Sequence, residues 1–179
     1  MLPLILASGS PRRSALLAQL GINFKVMPSP INEAELKLSG SPEIQVQESA
    51  RAKGMPVAKS NPGSWVLSAD TIVYVEGKIL GKPKDSVDAL QMLQILQGRS
   101  HSVFTGLCLT KVWSEQGLDK MILETAYEET KVWMKEMTAE EIAAYVNTGE
   151  PMDKAGAYAI QALGSCLVPR IEGCFFNVM

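Results

Sequence analysis

Residues 4–13 read LILASGSPRR, and this stretch indicates how the chain begins to fold. Its first four residues form a short continuous apolar run, which is typical of a buried strand. The run is broken at Ser8, and Ser10 followed by Pro11 has the pattern of an N-cap and a first helical residue. The stretch therefore predicts a strand, a glycine-containing turn, and a helix that ends at Gly21.

The turn after this strand has features of a phosphate-binding site. A helix start offers free backbone N–H groups and the positive end of the helix dipole. The hydroxyls of Ser8 and Ser10 and the guanidiniums of Arg12 and Arg13 follow one another here, which suits a phosphate chain. The stretch is not a P-loop, because the GxxxxGK[ST] pattern is absent. A capped helix with surface arginines explains the same spacing equally well.

The composition is that of an ordinary globular protein. The chain has 179 residues, of which 46% are hydrophobic and 20% charged, and this length fits one domain or two lobes. A formal net charge of −2 argues against bulk electrostatic binding to nucleic acid. No basic region precedes the first apolar run, and no run approaches a membrane span, so we expect neither a signal peptide nor a membrane partner.

The cysteines favour a reducing compartment. Cys108, Cys166 and Cys174 are odd in number and show no CxxC spacing, which argues against disulfides and a zinc site. We expect buried free thiols and a cytoplasmic location.

The pattern of elements predicts a mixed α/β sheet with flanking helices. A helix is predicted over residues 42–53, and Gly54 and Pro56 make its continuation doubtful. A strong strand over residues 66–69 is predicted to end at Asp70, and residues 73–79 to form a hairpin. The later predictions are a helix over residues 86–96, strands over 102–110 and 126–134, and a helix with Thr138 as its cap and Glu141 three residues on.

Asp70 is a candidate catalytic or metal-binding residue. The carboxyl end of a buried strand faces the crevice where open α/β sheets bind ligands. A carboxylate there can hold a divalent metal or deprotonate water, although a loop-capping aspartate is a common alternative. Lys53, Lys82 and Lys154 lie near small turns and suit phosphate as point charges, but most lysines are simply solvated. His101, the single histidine, is better interpreted as a hydrogen-bonded structural residue than as a catalyst.

Several short motifs occur in an order that resembles a known family. Besides residues 8–13 they are the Glu33 loop, Ala52-Lys53, Ala69-Asp70-Thr71, Gly81-Lys82-Pro83, residues 101–105 (HSVFT), residues 153–161 (DKAGAYAIQ), Ile171-Glu172-Gly173 and Asn177-Val178. Together they resemble the Maf family of nucleoside triphosphate pyrophosphatases, once named septum-formation inhibitors. The resemblance covers nearly the whole chain, and the SxSPRR start and the DKAGAYxIQ block are its most specific parts.

The resemblance implies a fold and a reaction. The fold would be a single Maf-type domain over residues 1–179, similar to inosine triphosphatase, with a mixed sheet and two lobes around a central cleft in an elongated molecule. The reaction would be hydrolysis of a nucleoside triphosphate to the monophosphate and pyrophosphate, with a divalent cation such as Mg²⁺ or Mn²⁺. A homodimer is implied as well.

The resemblance also implies residue roles. Asp70 would match the general base, and Glu33 would be a metal or water ligand beside it, so that both would hold the metal. Ser8, Arg12, Lys53 and Lys82 would bind the phosphates.

Three positions resemble one branch of the family and so imply which nucleobase the substrate carries. Arg13, Thr71 and Gln161 resemble the branch that prefers dTTP and UTP, whereas a branch acting on 7-methyl-GTP tends to lack the second arginine, to have Gln after the Asp, and to have Glu in place of the late Gln. We therefore expect dTTP and UTP as substrates, with modified uridine triphosphates, in a house-cleaning role against non-standard nucleotides.

Two positions depart from the family's pattern. Asn32 precedes Glu33 where an acidic residue is frequent, and we expect weaker metal affinity from this. The sequence stops at Met179, where family members usually continue with Gly-Leu-Pro and a closing helix, and we expect an effect on stability and dimer packing.

Two alternatives use the same residues differently. A non-enzymatic regulator of septum formation and cell division, or a nucleotide sensor, would bind a triphosphate without cutting it. The presence of both Asp70 and Glu33 favours catalysis, because a sensor needs no base. A nucleic-acid-binding module is opposed by the net charge and by the lack of a basic stripe.

Overall fold

The computed structural model describes residues 4–179, which divide into two compact units. The first unit contains the described residues up to Asp70 together with Gly106–Tyr127, and the second contains Thr71–Thr105 and Glu128–Met179. The strands are β1 (Leu4–Leu6), β2 (Phe24–Val26), β3 (Val66–Val75), β4 (Lys78–Leu80), β5 (Ser100–Glu115), β6 (Leu118–Trp133) and β7 (Arg170–Glu172). The helices are α1 (Pro11–Gln19), α2 (Pro42–Ser60), α3 (Ser86–Leu96), α4 (Ala139–Asn147) and α5 (Phe175–Val178). Short 3₁₀ helices cover Glu33–Glu35, Glu150–Asp153, Ala155–Ala157 and Ala162–Leu167.

Within residues 4–179 the strands pair as a seven-stranded sheet in the order β2-β1-β3-β5-β6-β7, with β4 beside β3. β1 pairs in parallel with β2 and β3, whereas β4 and β7 pair antiparallel with β3 and β6. The predicted α/β class with a mixed sheet and flanking helices is therefore confirmed. The elongated shape and the central cleft stay predictions.

The core of the first unit forms around β1. Ile5 and Ala7 pack with Val66 of β3 and with Val57 and Ala58 of α2 in one buried apolar cluster. Burying a side chain such as Ile or Val contributes about 1.5–3 kcal/mol. The continuous apolar run at the start of the sequence is buried as predicted, and it fixes the turn that follows.

Helix α2 continues past Gly54 and Pro56 to Ser60, so the predicted stop near Gly54 was wrong. A proline inside a helix removes one backbone hydrogen bond and costs about 3 kcal/mol. The last turns of α2 bury Val57 and Ala58 in the first core, which offsets this cost. Tertiary packing therefore overrides the local signal.

Two glycines allow α2 to lie close to its neighbouring strands. A Cβ atom on Gly54 would lie 2.4 Å from Ser68 Oγ of β3, and one on Gly106 of β5 would lie 2.3 Å from the Val46 backbone. Both distances are too short for any other residue unless the neighbouring atoms move. This close approach sets the position of Lys53, the residue before Gly54, against β3.

Strand β3 runs without a break from Val66 to Val75, so the prediction that it ends at Asp70 was wrong. Val73 and Val75 are buried in the core of the second unit, and β-branched residues favour extended backbone. Asp70 therefore lies within a strand and does not cap a loop. The predicted hairpin forms between β3 and β4, with positive φ angles of 47° at Glu76 and 83° at Gly77, as a two-residue hairpin turn requires.

The second unit has its own apolar core. Helix α3 spans the predicted residues, and α4 has the predicted capping box between Thr138 and Glu141. The two helices contribute these buried side chains to one cluster with the strands: Ala89, Met92, Leu93, Leu96, Ile142, Tyr145 and Val146.

The paired strands β5 and β6 are longer than predicted, at 16 residues each. The turn between them has positive φ angles at Gln116 and Gly117. Most of β6 before Thr130 is exposed on both faces. Such a strand has no need for alternating apolar and polar residues, and the prediction of residues 126–134 depended on that alternation.

The three cysteines are free thiols. Cys108 is buried as predicted, but Cys174 is half-buried and Cys166 is exposed, so the expectation of burial was wrong for Cys166. In the part of the chain that the structure describes, no helix combines the length and the apolarity needed to cross a membrane.

Candidate functional site

The turn between β1 and α1 is built around the Ser8 hydroxyl. Ser10 and Pro11 occupy the predicted N-cap and first helical positions, but the Ser10 side chain makes no capping hydrogen bond. The Ser10 backbone N–H instead donates to Ser8 Oγ at 3.3 Å. Ser8 is buried, so the turn holds its hydroxyl in a fixed place.

Arg13 connects this turn to β3. Its Nη1 atom donates to Ser8 Oγ at 3.0 Å and to the Ala69 carbonyl at 2.8 Å. The parallel register pairs Leu6 with Leu67, so Ser8 and Ala69, two residues further on, lie at neighbouring positions. One guanidinium can therefore reach both.

The charge environment of Arg13 is mixed. Burial lowers the pKa of its guanidinium from the ordinary value, while the carboxylates of Asp70 and Glu33 act in the opposite direction. The charge of Arg12, which is half-buried on α1, adds to the lowering. An arginine nevertheless remains a cation at neutral pH, so Arg13 supplies positive charge here.

The Lys53 ammonium is the centre of the candidate site in the first unit. Its Nζ atom lies 2.6 Å from Asp70 Oδ1 and 2.8 Å from Glu33 Oε1. Lys53 is 5% exposed and the Asp70 side chain 16%, whereas the Glu33 side chain is 54% exposed. Two carboxylates thus converge on one buried cation, where poor solvation makes charge pairing matter more than at the surface.

Three different elements supply these charges. Lys53 comes from the middle of α2, Asp70 from β3, and Glu33 from the 3₁₀ helix in the loop after β2. Asn32, the departure from the family's pattern, donates from Nδ2 to Glu35 Oε1 at 2.9 Å. The structure therefore brings three of the predicted site residues, Glu33, Lys53 and Asp70, together at the Lys53 ammonium.

The two carboxylates fit a divalent cation. Among the described residues no group of three His, Cys, Asp or Glu side chains could hold a metal ion. Mg²⁺ commonly uses only one or two protein carboxylates and takes water and substrate phosphate oxygens as its other ligands. Asp70 and Glu33 are hard oxygen donors that already share one cation, so this donor set suits Mg²⁺ or Mn²⁺.

The remaining predicted site residues belong to the second unit. Thr71 Oγ1 lies 2.9 Å from Thr105 Oγ1, while Lys82 is exposed and Gln161 is half-buried. Lys154 donates to the Glu150 carbonyl at 2.6 Å and to Asp153 Oδ1 at 2.5 Å, so it stabilises the 3₁₀ helix in which both acceptors lie.

Comparison with known proteins assigns the chain to a family. A family model described as Maf-like protein matches residues 3–179. The chain belongs to the Maf family.

Three curated relatives of this Maf chain carry the same name. A protein of Caldicellulosiruptor bescii is 46% identical over 98% of this chain and 87% of its own length, and one of Halalkalibacterium halodurans is 46% identical over 100% and 90%. A third, from Aquifex aeolicus, is 43% identical over 98% of this chain and 87% of its own length. All three are named dTTP/UTP pyrophosphatase.

Two solved structures are distantly similar. A nucleoside-triphosphatase (dITP/XTP pyrophosphatase) of Mycobacterium abscessus has a TM-score of 0.42 and 14% identity, over 73% of this chain and 74% of its own. The Ham1 protein of Staphylococcus aureus also has a TM-score of 0.42, with 15% identity over 87% and 85%. These values are too low to support an argument about function.

His101 of the Maf chain is a core residue. It is 3% exposed, and its Nε2 atom lies 2.7 Å from the Tyr158 hydroxyl. Burial lowers the pKa of its imidazole from 6.5 to about 4. The ring is therefore neutral at physiological pH, which agrees with the structural interpretation of His101 and not with a catalytic one.

Some side chains that hold the predicted residues in place were not predicted from the sequence. Thr105 contacts Thr71, and its presence in the HSVFT motif was the available signal. Tyr145 and Glu150 contact the segment that carries Gln161. A glutamate between Gly149 and Pro151 has no periodic pattern, so only the folded chain indicates its role.

Proposed function

We propose that this Maf protein hydrolyses dTTP and UTP between the α- and β-phosphates, releasing the nucleoside monophosphate and pyrophosphate. The observation that carries the proposal is the Lys53 ammonium shared by Asp70 and Glu33. Its support is the set of relatives, 42–46% identical over nearly the whole chain, that are named dTTP/UTP pyrophosphatase. Modified uridine triphosphates fall within the same proposal, as targets of a house-cleaning enzyme.

The basic and hydroxyl groups would neutralise the triphosphate. A triphosphate repels attacking water until its charge is compensated, and fixed cations also stabilise the charge that develops in the transition state. We assign phosphate binding to Ser8, Arg12, Lys53 and Lys82. In this role Lys53 would share its charge between the phosphates and Asp70, which it already contacts.

Asp70 would act as the general base. It would take a proton from water as the water oxygen bonds to phosphorus, and pyrophosphate would leave with the electrons of the broken phosphoanhydride bond. Lys53, 2.6 Å away, orients the carboxylate. Mg²⁺ or Mn²⁺, held by Glu33 and Asp70, would supply charge neutralisation and a more acidic water.

Arg13, Thr71 and Gln161 would select the nucleobase of the substrate. Uracil and thymine present an O4 acceptor beside an N3–H donor, and a glutamine amide can donate to the first and accept from the second. A glutamate at this position could only accept, which suits the N–H donors of a guanine edge. Gln161 therefore suits the imide edge of uracil and thymine, and the selection against guanine would fall to Arg13 and Thr71.

We also propose that the protein works in the cytoplasm as a homodimer. Three free thiols suit a reducing compartment. Leu118, Met121 and Tyr127 on β6 are each at least half exposed, and such exposed apolar groups favour association. Analytical ultracentrifugation at micromolar concentration tests the dimer, and a single monomeric species would contradict it.

A pyrophosphate-release assay with Mg²⁺ or Mn²⁺ tests the proposed function. The substrates are dTTP, UTP, CTP, ATP, GTP and 7-methyl-GTP, and we expect rapid release from dTTP and UTP alone. Release from 7-methyl-GTP alone would keep the enzyme and overturn the selectivity. Tight triphosphate binding without any release would instead favour the nucleotide-binding regulator of cell division.

A further inference from the structure

Glu150 holds one end of the segment 159–164, which carries Gln161 near its middle. The Gly164 backbone N–H donates to Glu150 Oε1 at 2.8 Å, and the Leu163 N–H donates to Glu150 Oε2 at 3.1 Å. The two carboxylate oxygens therefore accept hydrogen bonds from two consecutive backbone amides. Because both donors belong to the same turn, the charged side chain holds that turn in place.

Tyr145 of α4 holds the other end of the segment. The Ala159 backbone N–H donates to the Tyr145 hydroxyl at 3.2 Å, and that hydroxyl donates to Glu150 Oε1 at 2.9 Å. A single hydrogen-bond network thus joins α4, the 3₁₀ helix at Glu150 and both ends of the Gln161 segment. Networks of this kind restrict backbone motion when every member has a partner.

The ionisation states suit these bonds. Burial raises the pKa of Glu150, but hydrogen bonds from Gly164, Tyr145 and Leu163 and the charge of Lys154 outweigh it, so the pKa is lowered overall. Burial, together with Glu150, raises the pKa of the Tyr145 hydroxyl. Glu150 is therefore an ionised acceptor and Tyr145 a protonated donor.

The segment is also folded tightly on itself. A Cβ atom on Gly164 would lie 2.2 Å from the Ala159 carbonyl oxygen and 2.7 Å from the Tyr145 hydroxyl. Ala162 has a positive φ of 52°, which is strained for a residue with a Cβ. Surrounding bonds must maintain such a conformation, and the Tyr145–Glu150 network supplies them.

Gln161 depends on this backbone for its position. Its half-buried side chain makes no hydrogen bond to the rest of the described chain. The amide group therefore has no anchor of its own in residues 4–179, and the placement of its backbone decides where it can meet a ligand.

We infer that Glu150 and Tyr145 are positioning residues for base selectivity, acting through the segment 159–164 on Gln161. The inference rests on the proposed function, in which Gln161 contacts the base. Neither residue touches substrate in this account. Their effect is expected in the relative KM values of different nucleotides and not in the chemical step.

The variant Glu150→Gln tests this role at nearly constant shape. Its amide nitrogen would face one of the two backbone N–H donors, so at least one bond to Leu163 or Gly164 is lost. We expect the KM for dTTP to rise about tenfold, kcat to change less than about threefold, and the ratio of kcat/KM for dTTP over dGTP to fall about tenfold. Tyr145→Phe should shift the same ratio in the same direction.

Thr138→Ala is the matched control. It removes the cap of α4, the helix that carries Tyr145, without touching the segment 159–164. It should lower the melting temperature and leave the dTTP to dGTP ratio unchanged. Equal changes in this ratio for Thr138→Ala and Glu150→Gln would overturn the inference, because general destabilisation would then explain both.

Amide hydrogen exchange gives a readout that does not depend on activity. The Leu163 and Gly164 amides should exchange faster in Glu150→Gln than in the wild type or in Thr138→Ala. Unchanged exchange, or faster exchange with an unchanged selectivity ratio, would overturn the inference. A wild-type protein without turnover would contradict the proposed function instead, and the exchange rates would still decide whether Glu150 holds the segment.

Discussion

The contacts of one lysine decide what the first unit can do. Lys53 is almost fully buried, and its ammonium is stabilised by Asp70 and Glu33. These contacts place two carboxylates within hydrogen-bond distance of the same ammonium nitrogen. This grouping is what a hydrolase acting on a phosphoanhydride needs, because it combines a base with charge neutralisation.

Breaking this pair should cost more stability than breaking a surface pair. Lys53→Met leaves Asp70 with little solvent and without its partner, and we expect the free energy of unfolding to fall by about 2–4 kcal/mol. In the double variant Lys53→Met/Asp70→Asn the loss should be smaller than the sum of the single losses by about 1–3 kcal/mol. Urea unfolding curves give the free energy of unfolding of Lys53→Met, Asp70→Asn and the double variant.

Lys135→Met is the control for this cycle. Lys135 pairs with Glu141 at 3.0 Å, but both side chains are well exposed, so its loss should be about 0–1 kcal/mol. Additive losses for Lys53 and Asp70 would contradict the coupling.

At the scale of elements, the sequence predicted strand and helix types better than their ends. The turn at Ser8 and Ser10 and the capping box at Thr138 depend on neighbours in sequence, and both were predictable. The extension of α2 through Pro56 depends on burial of Val57 against β1, which only the folded chain brings together. Local patterns carry no information on such contacts, so the predicted stop was wrong.

The candidate site was predictable to a similar extent. The resemblance indicated Glu33, Lys53 and Asp70, and the structure places them in contact. It gave no role to Glu150, because the amides that this side chain accepts from lie 13 and 14 residues further along the chain. Their proximity follows from tertiary structure alone.

The close packing of α2 on β3 makes a testable prediction for Gly54→Ala. Helix propensity alone would make this change stabilising by about 1 kcal/mol. The new Cβ would lie 2.4 Å from Ser68 Oγ, so we expect a loss of about 1–3 kcal/mol instead. Turnover should fall as well, because a shift of α2 separates Lys53 from Asp70.

Unfolding by urea and the rate of pyrophosphate release test this variant. Glu48→Ala, an exposed change on the same helix, should leave both nearly unchanged. A more stable Gly54→Ala protein with normal turnover would show that α2 does not need this close approach.

For the whole molecule, a buried histidine links stability to pH. The pKa of His101 is about 4 in the folded protein, below its ordinary 6.5, so the unfolded chain binds a proton first as the pH falls. The free energy of unfolding should therefore decrease between about pH 6.5 and pH 4, by at most about 3 kcal/mol from this residue.

The variant His101→Gln isolates the contribution of the histidine. A glutamine amide can still hydrogen-bond the Tyr158 hydroxyl but does not titrate. Urea unfolding at pH 7, 5.5 and 4.5 should show a flatter dependence on pH in the variant. The same slope in both proteins would mean that His101 is not the titrating group.

Analysis of the products tests the proposed reaction of the whole enzyme most directly. Phosphorus-31 NMR follows dTTP with Mg²⁺ and the wild-type protein, and with Asp70→Asn in parallel. We predict dTMP and pyrophosphate from the wild type, and at least about a hundredfold slower turnover in the variant with dTTP binding retained. Release of dTDP and orthophosphate, or full activity of Asp70→Asn, would contradict the account.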